Sequence, residues 1–119
     1  MRWWQWLPFG RVGEIAPEEL ARRIREGRAP VILDVRSAAE VAEGTIPGAR
    51  HVPVHLLPSR FAELGLSPGS EVVAVCESAH RSIPAVRFLT ERGCRAVQLA
   101  GGMDAWRRAG LPVERPAEA

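Results

Sequence analysis

A cysteine and an arginine lie five positions apart in the segment CESAHRS, residues 76–82. Cys76 follows the apolar run EVVAV at 71–75 and precedes SIPAVRFLTERG at 82–93, whose apolar spacing predicts a helix. A loop between a strand and a helix directs backbone N–H groups and the helix amino terminus toward the sulfur, which favours the thiolate. Arg81 adds a fixed positive charge. The segment predicts a nucleophilic cysteine in an anion-holding loop; the alternative is a small buried thiol.

The elements that must position this loop are visible in the hydrophobic pattern. Valine-rich runs predict strands buried on both faces at 31–35, 71–75 and 96–99. Helical signals cover 17–27, 38–44, 59–64, 82–93 and 102–110. Strands alternating with helices predict a single α/β domain with a central, mainly parallel sheet flanked by helices and right-handed crossovers.

Two further charged residues follow the first of these strands. Asp34 and Arg36 lie at the end of VILDV, as Cys76 lies at the end of EVVAV. The carboxyl ends of parallel strands meet at one edge of the sheet, where ligands bind in such folds. We therefore expect Asp34 and Arg36 to support the cysteine loop, with a simple charge pair at a strand end as the alternative.

The composition limits the function classes. A chain of 119 residues with 46% apolar residues, 25% charged residues and a net charge of +2 is typical of one soluble globular domain. The charge balance gives no reason to expect a nucleic-acid partner. All sixteen basic residues are arginines, which suggests a GC-rich bacterial genome. Two cysteines do not make a disulfide framework, so a cytoplasmic location is expected.

The amino-terminal segment MRWWQWLPFG contains three of the four tryptophans. We interpret residues 1–10 as an extension ahead of a domain at 11–115. The segment is far shorter than the roughly 20 residues that span a bilayer, so stable membrane insertion is not expected. Trp3, Trp4 and Trp6 are expected to pack on their own domain, and docking to a partner is the alternative. Trp106 is expected in the core.

Three motifs in order resemble the rhodanese family. The family's aspartate-x-arginine strand end with G-x-I-P-G-A resembles LDVRSAAEVAEGTIPGARHVP at 33–53. Its active loop resembles CESAHRS at 76–82. Its closing motif resembles LAGGMDAWRRAGLPVE at 99–114. The resemblance implies a single rhodanese-like domain with sulfurtransferase activity. Cys76 would take a sulfur from a small-molecule donor such as thiosulfate, forming a persulfide that a thiol or protein acceptor, or cyanide in an assay, then removes.

The same resemblance implies the remaining site residues. The backbone N–H groups of the loop would cradle the anionic persulfide, so neither a metal nor an organic cofactor is expected. Arg81 would stabilise the thiolate and fix the loop through its fork of donors. The loop positions implied to contact the substrate are Glu77, Ser78, Ala79, His80, Arg81 and Ser82.

Two loop residues depart from the family pattern. Ala79 stands where the family usually has glycine, and a positive φ there would cost alanine roughly 1 kcal/mol or more. Glu77 places a carboxylate beside the sulfur, where it would repel thiosulfate. Persulfide chemistry at Cys76 is therefore a firmer expectation than thiosulfate as the natural donor.

Other functions compete with this one. Cell-cycle phosphatases and arsenate reductases separate the cysteine and arginine by five residues rather than the four found here. A non-catalytic rhodanese-like binding module is the nearer alternative, although such modules commonly lack the cysteine. A disulfide between Cys76 and Cys94 is not expected, because the helix between them would separate the two by about 18 Å. Pro53 argues against a metal site at His51 and His55.

Overall fold

Residues 2–116 are described by the computed structural model, and within them five parallel strands form one sheet. The sheet order is β1-β5-β4-β2-β3, which places the strand before Cys76 at the centre. The strands are β1 (Glu14–Ile15), β2 (Val31–Asp34), β3 (Arg50–His51), β4 (Glu71–Val75) and β5 (Arg95–Leu99). The predicted α/β architecture with a parallel sheet is confirmed.

Helices follow the strands at each of the five predicted positions. They are α1 (Pro17–Arg25), α2 (Ala38–Glu43), α3 (Leu57–Arg60), α4 (Ser82–Glu91) and α5 (Gly102–Arg108). The segment predicted as one helix at 59–64 is divided, because α3 ends at Arg60 and a 3₁₀ turn covers Phe61–Leu64. Gly65 ends that turn in the left-handed conformation, which costs glycine nothing.

Helix α2 begins with a capping box. The Ser37 side chain accepts from the Glu40 N–H at 3.3 Å, and the Glu40 carboxylate accepts from the Ser37 N–H at 3.0 Å. Each bond satisfies an N–H group that the helix itself cannot pair. The box also holds the Glu40 carboxylate at the start of α2, on the sheet edge where Cys76 lies.

The sheet is buried on both faces, as the valine-rich runs predicted. Alternate residues of β4 point to opposite faces, so Val72 and Ala74 join one core cluster while Val73 and Val75 join the other. The first cluster includes Cys76 and residues of α4, and the second includes residues of α1 and α5. Trp106 is 1% exposed in the second cluster and donates to the Pro112 carbonyl at 2.8 Å, which confirms it as a core residue.

The two edge strands could not be recognised in the sequence. Strand β1 is only Glu14–Ile15, paired with β5, and β3 is only Arg50–His51, paired with β2. Two residues are too few to show a hydrophobic period. The edge strand β1 nevertheless matters for the site, because Glu14 is in register with Gln98 of β5.

The tryptophan-rich extension lies along α4. The Arg87 guanidinium donates to the carbonyls of Gln5 at 3.1 Å, Leu7 at 3.0 Å and Phe9 at 2.7 Å. The Trp6 ring centroid lies 6.4 Å from that of Phe88 in the helix. Backbone bonds to one arginine therefore hold the extension in place.

Only one of the three tryptophans behaves as expected. Trp6 is partly buried, whereas Trp3 is 77% exposed and Trp4 47% exposed, so packing on the domain is wrong for those two. Docking of a partner through Trp3, Trp4 and Trp6 stays a prediction. Within residues 2–116, no helix is long and apolar enough to cross a membrane.

Candidate active site

Cys76 comes directly after β4 and is 1% exposed. Its sulfur accepts a hydrogen bond from the His80 N–H at 3.1 Å, which closes the loop back onto the cysteine. The Ser82 hydroxyl oxygen lies 3.3 Å from the same sulfur, at the first residue of α4. The loop therefore places one backbone donor and one hydroxyl group against a recessed thiol.

The rest of the loop offers further N–H groups. Among residues 2–116, those of 77, 78, 79 and 81 donate to no protein acceptor. Exposed N–H groups in a short loop before a helix are suited to binding an anion. The loop thus carries donors beyond the one on the Cys76 sulfur.

Helix α5 anchors the start of this loop through its backbone. The Met103 N–H donates to the Cys76 carbonyl at 2.8 Å, and the Asp104 N–H donates to the Glu77 carbonyl at 3.0 Å. Gly102 allows the approach, because a Cβ on it would overlap the Cys76 carbonyl and lie 2.6 Å from the Glu77 oxygen. The second glycine of the closing motif therefore has a direct structural reason beside the cysteine.

Arg36 is a second anchor, and its side chain is fully buried. Its Nη2 lies 2.8 Å from an Asp34 carboxylate oxygen and donates to the Gly44 carbonyl at 2.7 Å. Its Nη1 donates to the Glu77 carboxylate at 3.0 Å. Thr45, which the sequence did not single out, donates to Asp34 at 2.7 Å. Asp34 and Arg36 thus lie beside the loop, with Arg36 in direct contact with it.

Glu77 has a different environment from the one expected. Besides Arg36, it binds the Arg107 guanidinium of α5 at 2.5 Å. The hydrogen bond from Arg107 is the main cause that holds the pKa of the Glu77 carboxyl below its usual range. Its charge is therefore paired twice, which offsets the expected repulsion of an anion near Cys76. Arg107 was missed because it lies on the last helix, far from the loop in sequence.

Arg81 reaches away from the loop backbone. Its guanidinium binds both carboxylate oxygens of Glu40, with Nη2 at 2.6 Å from Oε2. This pair is the largest of the causes that lower the pKa of Glu40 to about 2. The donor fork thus ties the loop to α2 rather than to loop carbonyls.

Ala79 adopts a left-handed backbone conformation that favours glycine. Its φ is 65°, and it is the only non-glycine residue with positive φ among residues 2–116. This left-handed conformation costs alanine about 1–2 kcal/mol. The contacts that anchor the loop must offset that cost. Beside it, the Ser78 hydroxyl and His80 Nδ1 lie 3.1 Å apart at the exposed surface.

The other candidate residues lie apart from the loop. Cys94 is a buried free thiol that follows the far end of α4, and burial raises the pKa of its thiol. The structure thus keeps the helix between Cys76 and Cys94, as predicted. His51 Nε2 lies 2.7 Å from the Arg36 carbonyl, and His55 lies exposed in a 3₁₀ turn.

Replacing Gly102 with alanine should displace the loop. Gly102 and Gly110 both have left-handed φ, of 60° and 70°, but a Cβ on Gly110 meets nothing within 4 Å. Gly110→Ala should therefore cost about 1–2 kcal/mol of unfolding free energy from φ alone. Gly102→Ala should cost more and also change the alkylation rate of Cys76. Equal unfolding energies and unchanged alkylation in both variants would contradict this anchor.

Glu40→Gln should destabilise the protein in a pH-dependent way. Glutamine can keep the capping box but loses the charge that Arg81 binds. The pKa of Glu40 is lowered to about 2. The stability that its charge contributes is therefore present above the usual carboxyl pKa and is lost as the pH falls from there toward 2. The difference in urea midpoint between the two proteins should therefore stay constant from pH 7 to about pH 5 and narrow as the pH falls from there toward 2. A difference that does not narrow would contradict an ion pair as its source.

Comparisons with known proteins place this chain in a family. The family model described as "Rhodanese-like domain" matches residues 16–109. A "Sulfurtransferase" from Allochromatium vinosum is 39% identical over 106 residues, covering 88% of this chain and 97% of that protein. A "Thiosulfate sulfurtransferase GlpE" from Stutzerimonas stutzeri is 35% identical over 92 residues, covering 76% and 82%.

Solved structures agree with the sequence relatives. The crystal structure of a rhodanese-like domain protein from Staphylococcus aureus superimposes with a TM-score of 0.78 at 30% identity, covering 89% of this chain and all of that one. The overall fold is thus shared with a rhodanese-like domain protein of known structure. The chain belongs to the rhodanese-like family, and its sequence relatives include sulfurtransferases.

Proposed function

We propose that this protein is a sulfurtransferase that carries a sulfane sulfur as a persulfide on Cys76. The observation behind the proposal is the environment of one sulfur atom, which lies at the base of an anchored loop and accepts an N–H bond from His80 at 3.1 Å. Four further N–H groups of the loop donate to no acceptor among residues 2–116. Such a site can hold an anion through backbone N–H groups without a metal or an organic cofactor.

The first half-reaction loads the loop. The Cys76 thiolate attacks the sulfane sulfur of a donor, the donor's S–S bond breaks, and the leaving group departs with the bonding electron pair. With thiosulfate the leaving group is sulfite, and with a small-molecule persulfide it is a thiolate. Cys76 then carries one additional sulfur, which bears the negative charge.

The second half-reaction returns the enzyme to its starting state. A thiolate acceptor attacks the outer sulfur, and Cys76 leaves as a thiolate, so the sulfur moves without any change in the total charge. The recessed position of Cys76 suits this order, because the outer sulfur extends about 2 Å beyond Sγ toward the acceptor. The acceptor class is a small thiol or a protein thiol, and cyanide serves as an artificial acceptor.

The charges around the loop bear on the donor. The three arginines near the loop are each already bound to a carboxylate. Arg36 binds Asp34 and Glu77. Arg81 binds Glu40, and Arg107 binds Glu77. No guanidinium among these three is free to bind the second charge of thiosulfate. A singly charged persulfide donor therefore fits the site better than a doubly charged one.

A cytosolic setting is part of the proposal. Both cysteines are free thiols, and a persulfide cycle needs thiol acceptors and a reduced Cys76. The binding-module alternative does not use the thiol, whereas this chain keeps both Cys76 and the loop around it.

Sulfur loading tests the proposal directly. We expect intact-protein mass spectrometry, after incubation with glutathione persulfide or thiosulfate, to show a gain of one sulfur atom that cyanide removes. Cys76→Ser should show no gain, and the matched variant Cys94→Ser should load like the native protein because Cys94 lies at the other end of α4. The persulfide donor should load the protein faster than thiosulfate does.

Two outcomes would overturn the proposal. Native protein with a free Cys76 thiol that gains no sulfur from either donor would support a binding module instead. A cyanide-removable gain that persists in Cys76→Ser would move the chemistry to Cys94.

A further inference from the structure

A chain of three hydrogen-bonding contacts runs from the Cys76 sulfur to the sheet edge. Sγ lies 3.3 Å from the Ser82 hydroxyl, which donates to Gln98 Oε1 at 2.5 Å. Gln98 Nε2 in turn donates to the Glu14 carboxylate at 2.9 Å. Ser82 and Gln98 are buried, while Glu14 is exposed on β1. The persulfide cycle gives neither Gln98 nor Glu14 a role.

The direction of each bond follows from the carboxylate at the end. An ionised carboxylate only accepts, so it holds the amide nitrogen of Gln98 toward itself. The amide oxygen of Gln98 then faces Ser82, and an amide oxygen also only accepts. The single hydroxyl hydrogen of Ser82 is thereby committed to Gln98. Ser82 can offer only a lone pair to Cys76.

A lone pair on Ser82 favours one protonation state of the sulfur. It can accept a bond from the S–H of a thiol, whereas it has nothing to donate to a thiolate. The His80 N–H acts in the opposite direction, since it donates to the sulfur and favours the thiolate. The chain from Glu14 therefore opposes the ionisation that the loop promotes.

We propose that Gln98 is a positioning residue that, by orienting the Ser82 hydroxyl, keeps resting Cys76 more protonated than its loop alone would. The inference rests on the proposed function, in which Cys76 is the nucleophile. The arrangement has a chemical advantage, because thiolates of less acidic thiols are intrinsically better nucleophiles. Reversal of the Gln98 amide would let Ser82 donate to the thiolate. The Glu14 carboxylate disfavours that reversal because it accepts a hydrogen bond from Gln98 Nε2.

Other charges near Cys76 do not depend on this chain. They come from the β2 end, α2, the loop itself and α5, and most are paired with one another as described above. These groups are Asp34, Arg36, Glu40, Glu77, His80, Arg81, Asp104 and Arg107. Substitution of Gln98 leaves all of them in place.

The test is the pH dependence of Cys76 alkylation by iodoacetamide in the full chain, followed by peptide mass spectrometry. In Gln98→Leu the Ser82 hydroxyl is released to donate to the thiolate. The midpoint of the profile should fall by roughly half to one pH unit, with about two- to fourfold faster alkylation below it, because the more acidic thiol gives a less nucleophilic thiolate. Glu14→Ala, at an exposed position, should shift the midpoint the same way but less.

Ser82→Ala decides the direction of the bond. Because the native hydroxyl serves the thiol, its removal should lower the midpoint, by less than Gln98→Leu does. The double variant should match Ser82→Ala, since Gln98 acts only through Ser82. A purely structural role for Gln98 would not give this pattern, and urea unfolding of each variant shows that the fold is retained.

Three results would overturn the inference. A raised midpoint in Ser82→Ala would mean that Ser82 donates to the thiolate. An unchanged or raised midpoint in Gln98→Leu, or a Gln98→Leu shift that survives in the Ser82→Ala background, would remove Gln98 from control of the thiol. Alkylation does not require sulfur transfer, so a failure to load sulfur with the shifts intact would refute the proposed function alone.

Discussion

The site depends on a guanidinium that is fully buried in the protein. Arg36 is fully buried, and its partners are the Asp34 carboxylate, the Gly44 carbonyl and the Glu77 carboxylate. Burying a charge is tolerated only when it is paired and hydrogen-bonded, and removing one partner of such a pair typically costs about 3–5 kcal/mol. The chain must therefore bring the end of β2, the end of α2 and the cysteine loop to one point. That requirement fixes where the loop lies.

Two further contacts complete the geometry of the loop. The amino terminus of α5 holds the carbonyls of Cys76 and Glu77, and the Arg81–Glu40 pair joins the far side of the loop to α2. With the loop held at three points, Ala79 can persist at a φ of 65°. The same pairing leaves Arg81 committed to Glu40, whereas a phosphatase needs a free guanidinium for a phosphate dianion. This supports a loop that serves a single sulfur.

Much of this arrangement could be predicted from residues close together in sequence. The strand before Cys76, the helix after it and the shared edge with Asp34 and Arg36 follow from short-range patterns. The partners of the charged residues could not be predicted from such patterns, because ion pairs join positions such as Glu77 and Arg107 that only the fold brings together. The chain through Gln98 was also invisible, since its end lies on β1, a strand of two residues with no hydrophobic period. Exposed Trp3 and Trp4 show that apolar type alone does not decide burial.

The central claim is that the loop around Cys76 holds a sulfur atom through its backbone N–H groups. A crystal structure of the protein after loading with a persulfide donor tests it most directly. The account predicts one additional sulfur about 2.0 Å from Cys76 Sγ, within hydrogen-bonding distance of N–H groups of residues 77–82. A loaded sulfur directed away from those N–H groups, or bound at Cys94 instead, would contradict it.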